Sequence, residues 1–143
     1  MYKTKIHIIG GGNLGCALAL GFSKYSENNE ITVTRRNIKQ IQYLEKHGII
    51  VSADNKSEIG KADIIILTIK PYQVDTVLNE ILPEIENKII VSAVSGLSLE
   101  LLDEKVSGKH NVIRIMPSIA AQFGASATCI SFTEKNSESG MKI

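Results

Sequence analysis

The sequence predicts an α/β fold: a doubly wound, mostly parallel sheet with helices on both faces. Three observations carry this. Short β-branched runs alternate with segments of helical periodicity through most of the chain. Several runs are continuously apolar, as strands covered on both faces are. The first run, Ile6-His7-Ile8-Ile9, leads directly into Gly10-Gly11-Gly12-Asn13-Leu14-Gly15 and then into an apolar-periodic helix. Strand, glycine turn and helix in that order open many such sheets.

The strand candidates are Lys5–Ile9, Ile31–Thr34, Ile49–Ser52, Ile64–Ile69, Ile89–Val94 and Val112–Met116, with a weaker one at Ala127–Phe132. Leu14, Ala17, Leu18, Gly21 and Phe22 fall on one helix face after the first strand. Ile38, Ile41 and Leu44 mark a helix after the second. Val74, Val77, Leu78, Ile81 and Leu82 mark another, with Pro71 suited to its first turn and Pro83 ending or kinking it. Leu99, Leu102 and Val106 mark a fourth, with Ser98 as its N-cap. The segment 54–61 is short and polar, so that crossover is a loop or one helical turn. Right-handed crossovers between these strands cover both faces of the sheet.

The 143 residues make one ordinary domain, with 43% hydrophobic and 22% charged residues. The division expected is a dinucleotide-binding domain over 1–132 and a polar linker or frayed tail over 133–143. A net charge of +1 gives no electrostatic reason to expect nucleic acid or a membrane surface as a partner. No apolar stretch approaches the ~20 residues of a membrane span. No signal peptide is visible, since a strand begins almost at Met1, so a cytoplasmic setting is expected. Cys16 and Cys129 lack metal-ligand spacing and read as small core residues.

Gly10 through Gly15 carries the spacing G-x-G-x-x-G. The flanking strand and helix give the motif weight that glycines alone lack. Gly10 permits the tight turn, Gly12 lets a pyrophosphate approach the backbone, and Gly15 lets the helix pack against the sheet. The helix start then offers unpaired N–H groups, those of Asn13 and Leu14, and partial positive charge to the phosphates.

Thr34-Arg35-Arg36 closes the second strand. A protein that binds NAD carries an acid there to accept from the ribose 2′-hydroxyl. Arginines instead suit a 2′-phosphate, and each charge-assisted bond contributes about 1.5–3 kcal/mol. The expected cofactor is NADP, with the Thr34 hydroxyl donating to the same phosphate.

Three further loops follow strand carboxyl ends, where ligands of such sheets lie. They are 68–72, 93–96 and 116–118. Lys70 either reaches a ribose hydroxyl or phosphate or is a solvated lysine. Gly96 either lets the backbone approach the nicotinamide or makes a turn. His7 reads as a packed or edge histidine, His47 as a helix-end residue and His110 as a residue of a polar loop. No Ser/His/Asp set, carboxylate pair or metal cluster is evident, and no catalytic residue is singled out. Hydride transfer needs none of these, because the cofactor carries the chemistry.

Taken in order, Gly10–Gly15, Asp54-Asn55, Ala62-Asp63 leading to Thr68-Ile69-Lys70-Pro71, Ser92–Gly96 and Arg114-Ile115-Met116-Pro117 resemble the N-terminal domain of pyrroline-5-carboxylate reductases. The resemblance extends roughly to Phe132. It implies a Rossmann-type domain serving NADPH-dependent reduction of the imine Δ1-pyrroline-5-carboxylate to L-proline. It also implies that Asn13 and Leu14 meet the pyrophosphate, Arg35 and Arg36 the 2′-phosphate, and Asn55 the adenosine. Ile69, Lys70 and Pro71, with Ser95 and Gly96, line the nicotinamide half by the same resemblance.

Two departures stand beside it. The family usually reads Met-Pro-Asn-Thr-Pro, whereas Met116-Pro117 is followed here by Ser118-Ile119-Ala120. Family members also continue into a helical domain that dimerises and supplies most of the substrate pocket; that domain is expected to be absent from this chain. The resemblance thus implies a full-length homo-oligomer acting on a small imine or amino-acid-like substrate. This chain alone is expected to be a monomer or weak dimer, with little turnover. Alternatives are another NADP oxidoreductase, such as a deazaflavin-dependent NADP reductase or a β-hydroxyacid dehydrogenase relative, and a non-catalytic nucleotide-binding protein.

Overall fold

The computed structural model describes residues 2–133. Seven strands form one sheet: β1 (Thr4–Ile9), β2 (Asn29–Thr34), β3 (Ile50–Ser52), β4 (Ile64–Leu67), β5 (Ile89–Ser92), β6 (Asn111–Met116) and β7 (Cys129–Phe132). Their order is β3-β2-β1-β4-β5-β6-β7. All neighbours pair parallel except β6 and β7, where Ile113 faces Phe132 and Met116 faces Cys129 in antiparallel register. The chain order reverses between β1 and β4. This is the switch point outside whose strand ends ligands of open α/β sheets lie.

Two apolar layers sandwich the sheet. On one face, Cys16, Leu18 and Ala19 of α1 (Asn13–Tyr25), with Ile41 and Leu44, pack on Ile8, Val33 and Ile113. On the other, Val74, Leu78 and Ile81 of α2 (Val74–Ile81), with Leu102 of α3 (Leu99–Lys105), pack on Ile9, Ile65, Leu67 and Ile90. The Ser98 side chain caps α3 by accepting from the Leu101 N–H at 3.2 Å.

Several expectations are corrected. The segment after β2 is not an α-helix but two 3₁₀ turns, Ile38–Gln40 and Gln42–His47. Its apolar residues recur every third position, the period of a 3₁₀ turn, and Gly48 (φ 72°) stops it. Pro71 opens a separate 3₁₀ turn, Pro71–Gln73, that runs into α2. β4 and β5 end at Leu67 and Ser92, so Thr68, Ile69, Ala93 and Val94 belong to loops. β7 is shorter than Ala127–Phe132, and Cys129 on it is exposed rather than part of the core. His110 is buried, and its Nδ1 accepts from the Lys88 N–H at 3.1 Å. The tail expected over 133–143 lies, beyond Thr133, outside the described residues.

Candidate functional site

At the switch point a groove of about 630 Å³ opens between the glycine turn, the end of β2, the loop after β4 and one face of α2. Of the residues expected in the site, Gly10, Gly12, Thr34, Arg35, Arg36, Asn55, Ile69 and Lys70 line it. Asn13 lines an adjoining cleft with Cys16 and Phe123. Leu14 and Gly15 lie in the first turn of α1, and Pro71, Ser95 and Gly96 fall outside the groove lining.

The glycine turn is held from two sides. The Gly10 and Gly11 N–H groups both donate to the Thr34 carbonyl, at 3.1 and 2.8 Å, and the Gly12 N–H donates to Gly10 O at 2.7 Å. Gly10 has φ +107°, a conformation side chains rarely adopt. A Cβ at Gly15 would run into Gly10 O and stand 2.7 Å from Thr68 Oγ1. The Thr68 hydroxyl itself contacts the carbonyl oxygens of Ile9 and Gly10, at 3.1 and 2.8 Å, closing the turn onto β4.

Gly12 is different: a Cβ there would meet nothing within 4 Å, so the space above it is open. Gly12 is also the N-cap of α1, and no side chain caps the helix. The thirteen-residue helix therefore presents its first N–H groups and its positive dipole end to that open space. This arrangement fits a pyrophosphate.

The two arginines after β2 differ. Arg35 is half-buried, and its Nη1 donates to Gly11 O at 2.6 Å. Arg36 is exposed at the groove. Thr34 sits beside them at the strand end. It is fully buried, and its hydroxyl donates to Asn55 Oδ1 at 2.6 Å rather than pointing a free proton into the groove. Asn55 in turn donates from Nδ2 to Glu80 Oε2 on α2 at 3.0 Å.

The sequence reading missed the α2 wall of the groove. Gln73, Thr76, Val77 and Glu80 line it. They fall at i, i+3, i+4 and i+7, so the half-polar helix face was legible in the spacing. Gln73 also accepts from the Lys70 N–H at 3.0 Å, fixing the loop after β4. Thr68 was placed in the loop after β4 without a role of its own, because its hydroxyl acts on backbone carbonyls, which leave no mark in sequence.

Gly96 has φ +74° and open space at its Cβ position, the geometry of a turn after β5. His7 is buried in β1 with Nε2 unpartnered, and burial lowers its pKa from 6.5 to about 4. It is a neutral core residue. Among the described residues no three His, Cys, Asp or Glu gather as a metal site, and no helix is long and apolar enough to cross a membrane.

A parallel switch-point groove, a glycine turn under an uncapped helix and arginines at the end of β2 define a Rossmann-type dinucleotide-binding domain. The chain belongs to the family described as NADP oxidoreductase, coenzyme F420-dependent, whose model matches residues 5–96. It is 33% identical over 142 residues to pyrroline-5-carboxylate reductase 1 of Dictyostelium discoideum, covering 97% of this chain and 26% of that protein. The pyrroline-5-carboxylate reductase of Coxiella burnetii superposes with TM-score 0.85 at 24% identity, over 98% of this chain and 54% of that one. The pyrroline carboxylate reductase of Plasmodium falciparum, solved with NADP bound, gives 0.79 at 23%, over 99% and 53%. These two share the fold. The chain spans about half or less of the length of these relatives.

Proposed function

We propose that this chain binds NADPH in the switch-point groove as the hydride-donor half of a reductase that converts Δ1-pyrroline-5-carboxylate to L-proline. The observation that carries the cofactor reading is the pair Arg35 and Arg36 beside an uncapped glycine turn, with no acid at the end of β2. Curated relatives named pyrroline-5-carboxylate reductase support the substrate reading.

In this reading residues 1–132 are the dinucleotide-binding domain. Gly10, Gly12 and Gly15 shape the turn, and Asn13 and Leu14 hold the pyrophosphate with their N–H groups. Arg36, backed by Arg35, holds the 2′-phosphate. Asn55 meets the adenosine, and Ile69, Lys70, Pro71, Ser95 and Gly96 border the nicotinamide half. Bound NADPH supplies the hydride for the C=N carbon. The chain's own work is to orient the dinucleotide. The remaining substrate contacts and the homo-oligomeric assembly belong to a full-length form, and a cytoplasmic setting is the one we favour.

Titration with NADPH and NADH tests the cofactor reading. NADPH is expected to bind at least about tenfold tighter, the worth of one charge-assisted bond. Equal affinities would remove the role given to the arginines.

A second reading, a deazaflavin-dependent NADP reductase, draws support from the family description and from the Ser118-Ile119-Ala120 loop after β6. Comparing NADPH oxidation by Δ1-pyrroline-5-carboxylate and by coenzyme F420 separates the two. Oxidation by the deazaflavin alone would overturn the imine reading.

A further inference from the structure

The groove has one aromatic residue in its lining, Tyr72, in the turn that leads into α2. Its ring is spare in the fold. At 82% exposure it is the most exposed of the large apolar and aromatic side chains among the described residues, and its hydroxyl has no hydrogen-bond partner there. The backbone beneath it is firmly held. Pro71 fixes φ at the first position of the turn. The Lys70 N–H donates to Gln73 Oε1 at 3.0 Å, and the Gln73 N–H donates to Lys70 O at 2.9 Å. A fixed backbone thus presents at the groove a ring that packs on little of its own chain.

The groove divides by chemistry. The end of β2 brings Arg35, Arg36 and Asn37 to it. The wall that carries Tyr72 adds the aliphatic groups of Ile69, Thr76 and Val77. A dinucleotide divides in the same way. Its phosphates and sugar hydroxyls call for charge and hydrogen bonds. Adenine and nicotinamide are planar rings with π faces, and a phenol ring meets such a face by stacking. Tyrosine makes that contact at small entropic cost, because its ring is placed by two torsions.

Resting on the NADP reading above, we infer that Tyr72 is a stacking platform for a heteroaromatic ring of the bound dinucleotide. Adenine and nicotinamide share that chemistry, and the test below separates them. Tyr72 is then a binding residue that takes no part in moving the hydride or a proton.

The test is calorimetric titration of the chain with NADPH and with 2′-phospho-ADP-ribose, which lacks the nicotinamide. Tyr72→Ala is expected to weaken NADPH binding about fivefold, the worth of one stacked aromatic pair. Tyr72→Phe keeps the ring and should bind within about twofold of the unaltered chain. An equal loss with 2′-phospho-ADP-ribose in Tyr72→Ala assigns the stack to adenine, and a loss seen with NADPH alone assigns it to nicotinamide. Unchanged NADPH affinity in Tyr72→Ala overturns the inference. So does an equal loss in Tyr72→Phe, which would point to the hydroxyl instead of the ring. Urea unfolding of Tyr72→Ala should match that of the unaltered chain, and a lowered midpoint would assign the ring to packing and overturn the inference too. Failure of NADPH to bind the unaltered chain would instead overturn the NADP reading itself, so the two failures are distinct.

Discussion

Arg35 Nη1 donates to the carbonyl oxygen of Gly11 at 2.6 Å, so this arginine braces the glycine turn from the side of β2. Arg36, next in sequence, is exposed at the groove. Adjacent arginines thus hold different tasks. Arg36→Asp is expected to weaken NADPH binding by tenfold or more while leaving NADH binding almost unchanged. Arg35→Ala should weaken both by a similar factor, because it loosens the shared turn. Binding constants for the four pairs check this. A loss confined to NADPH in Arg35→Ala would contradict the bracing role.

Gly15→Ala places a methyl group against Gly10 O and Thr68 Oγ1. The turn, α1 and β4 must then move apart. A loss of about 1–3 kcal/mol in urea unfolding is expected, with a larger fractional loss of NADPH affinity. Unchanged stability would show that the close approach is not maintained in solution.

Thr34→Val preserves shape and removes the donor to Asn55 Oδ1. The cost expected is about 1–3 kcal/mol, that of a buried acceptor left unsatisfied. Denaturant unfolding measures it.

His7 links stability to pH. Its folded pKa is lowered to about 4 by burial, from 6.5. The unfolded chain therefore binds the extra proton first. The stability from keeping His7 neutral is fully present above about pH 6.5 and is lost as pH falls toward 4. That loss amounts to at most about 3 kcal/mol. His110 is lowered in the same direction, chiefly by burial, and adds to the effect. Urea unfolding between pH 7 and pH 5 should show falling stability, and His7→Val should flatten the slope. An equal slope in that variant would assign the effect elsewhere.

The strand–turn–helix opening was legible because each glycine serves a backbone constraint that the G-x-G-x-x-G spacing records. The parallel core was legible in continuous runs such as Ile64–Leu67. The direction of β7 was not, since a short alternating strand reads the same in either sense. Residues 38–47 misled because apolar residues three apart fit a 3₁₀ turn as well as an α-helix. Arg35 and Arg36 are identical in sequence and were given one role. Only the contact of one with Gly11 O separates them. Thr34 and Glu80 became connected through Asn55, a contact between distant segments that no local pattern encodes.

β7 has a practical consequence. Among the described residues it pairs only with β6, so its outer edge shows free backbone groups beside the exposed side chains of Ile130 and Phe132. Such an edge templates pairing between copies. Cys129 puts an exposed thiol on the same strand. In air, a passing edge-to-edge encounter can become a covalent cross-link. Samples kept with reductant, or carrying Cys129→Ser, should therefore stay free of the disulfide-linked dimers that ageing, oxidised stocks accumulate.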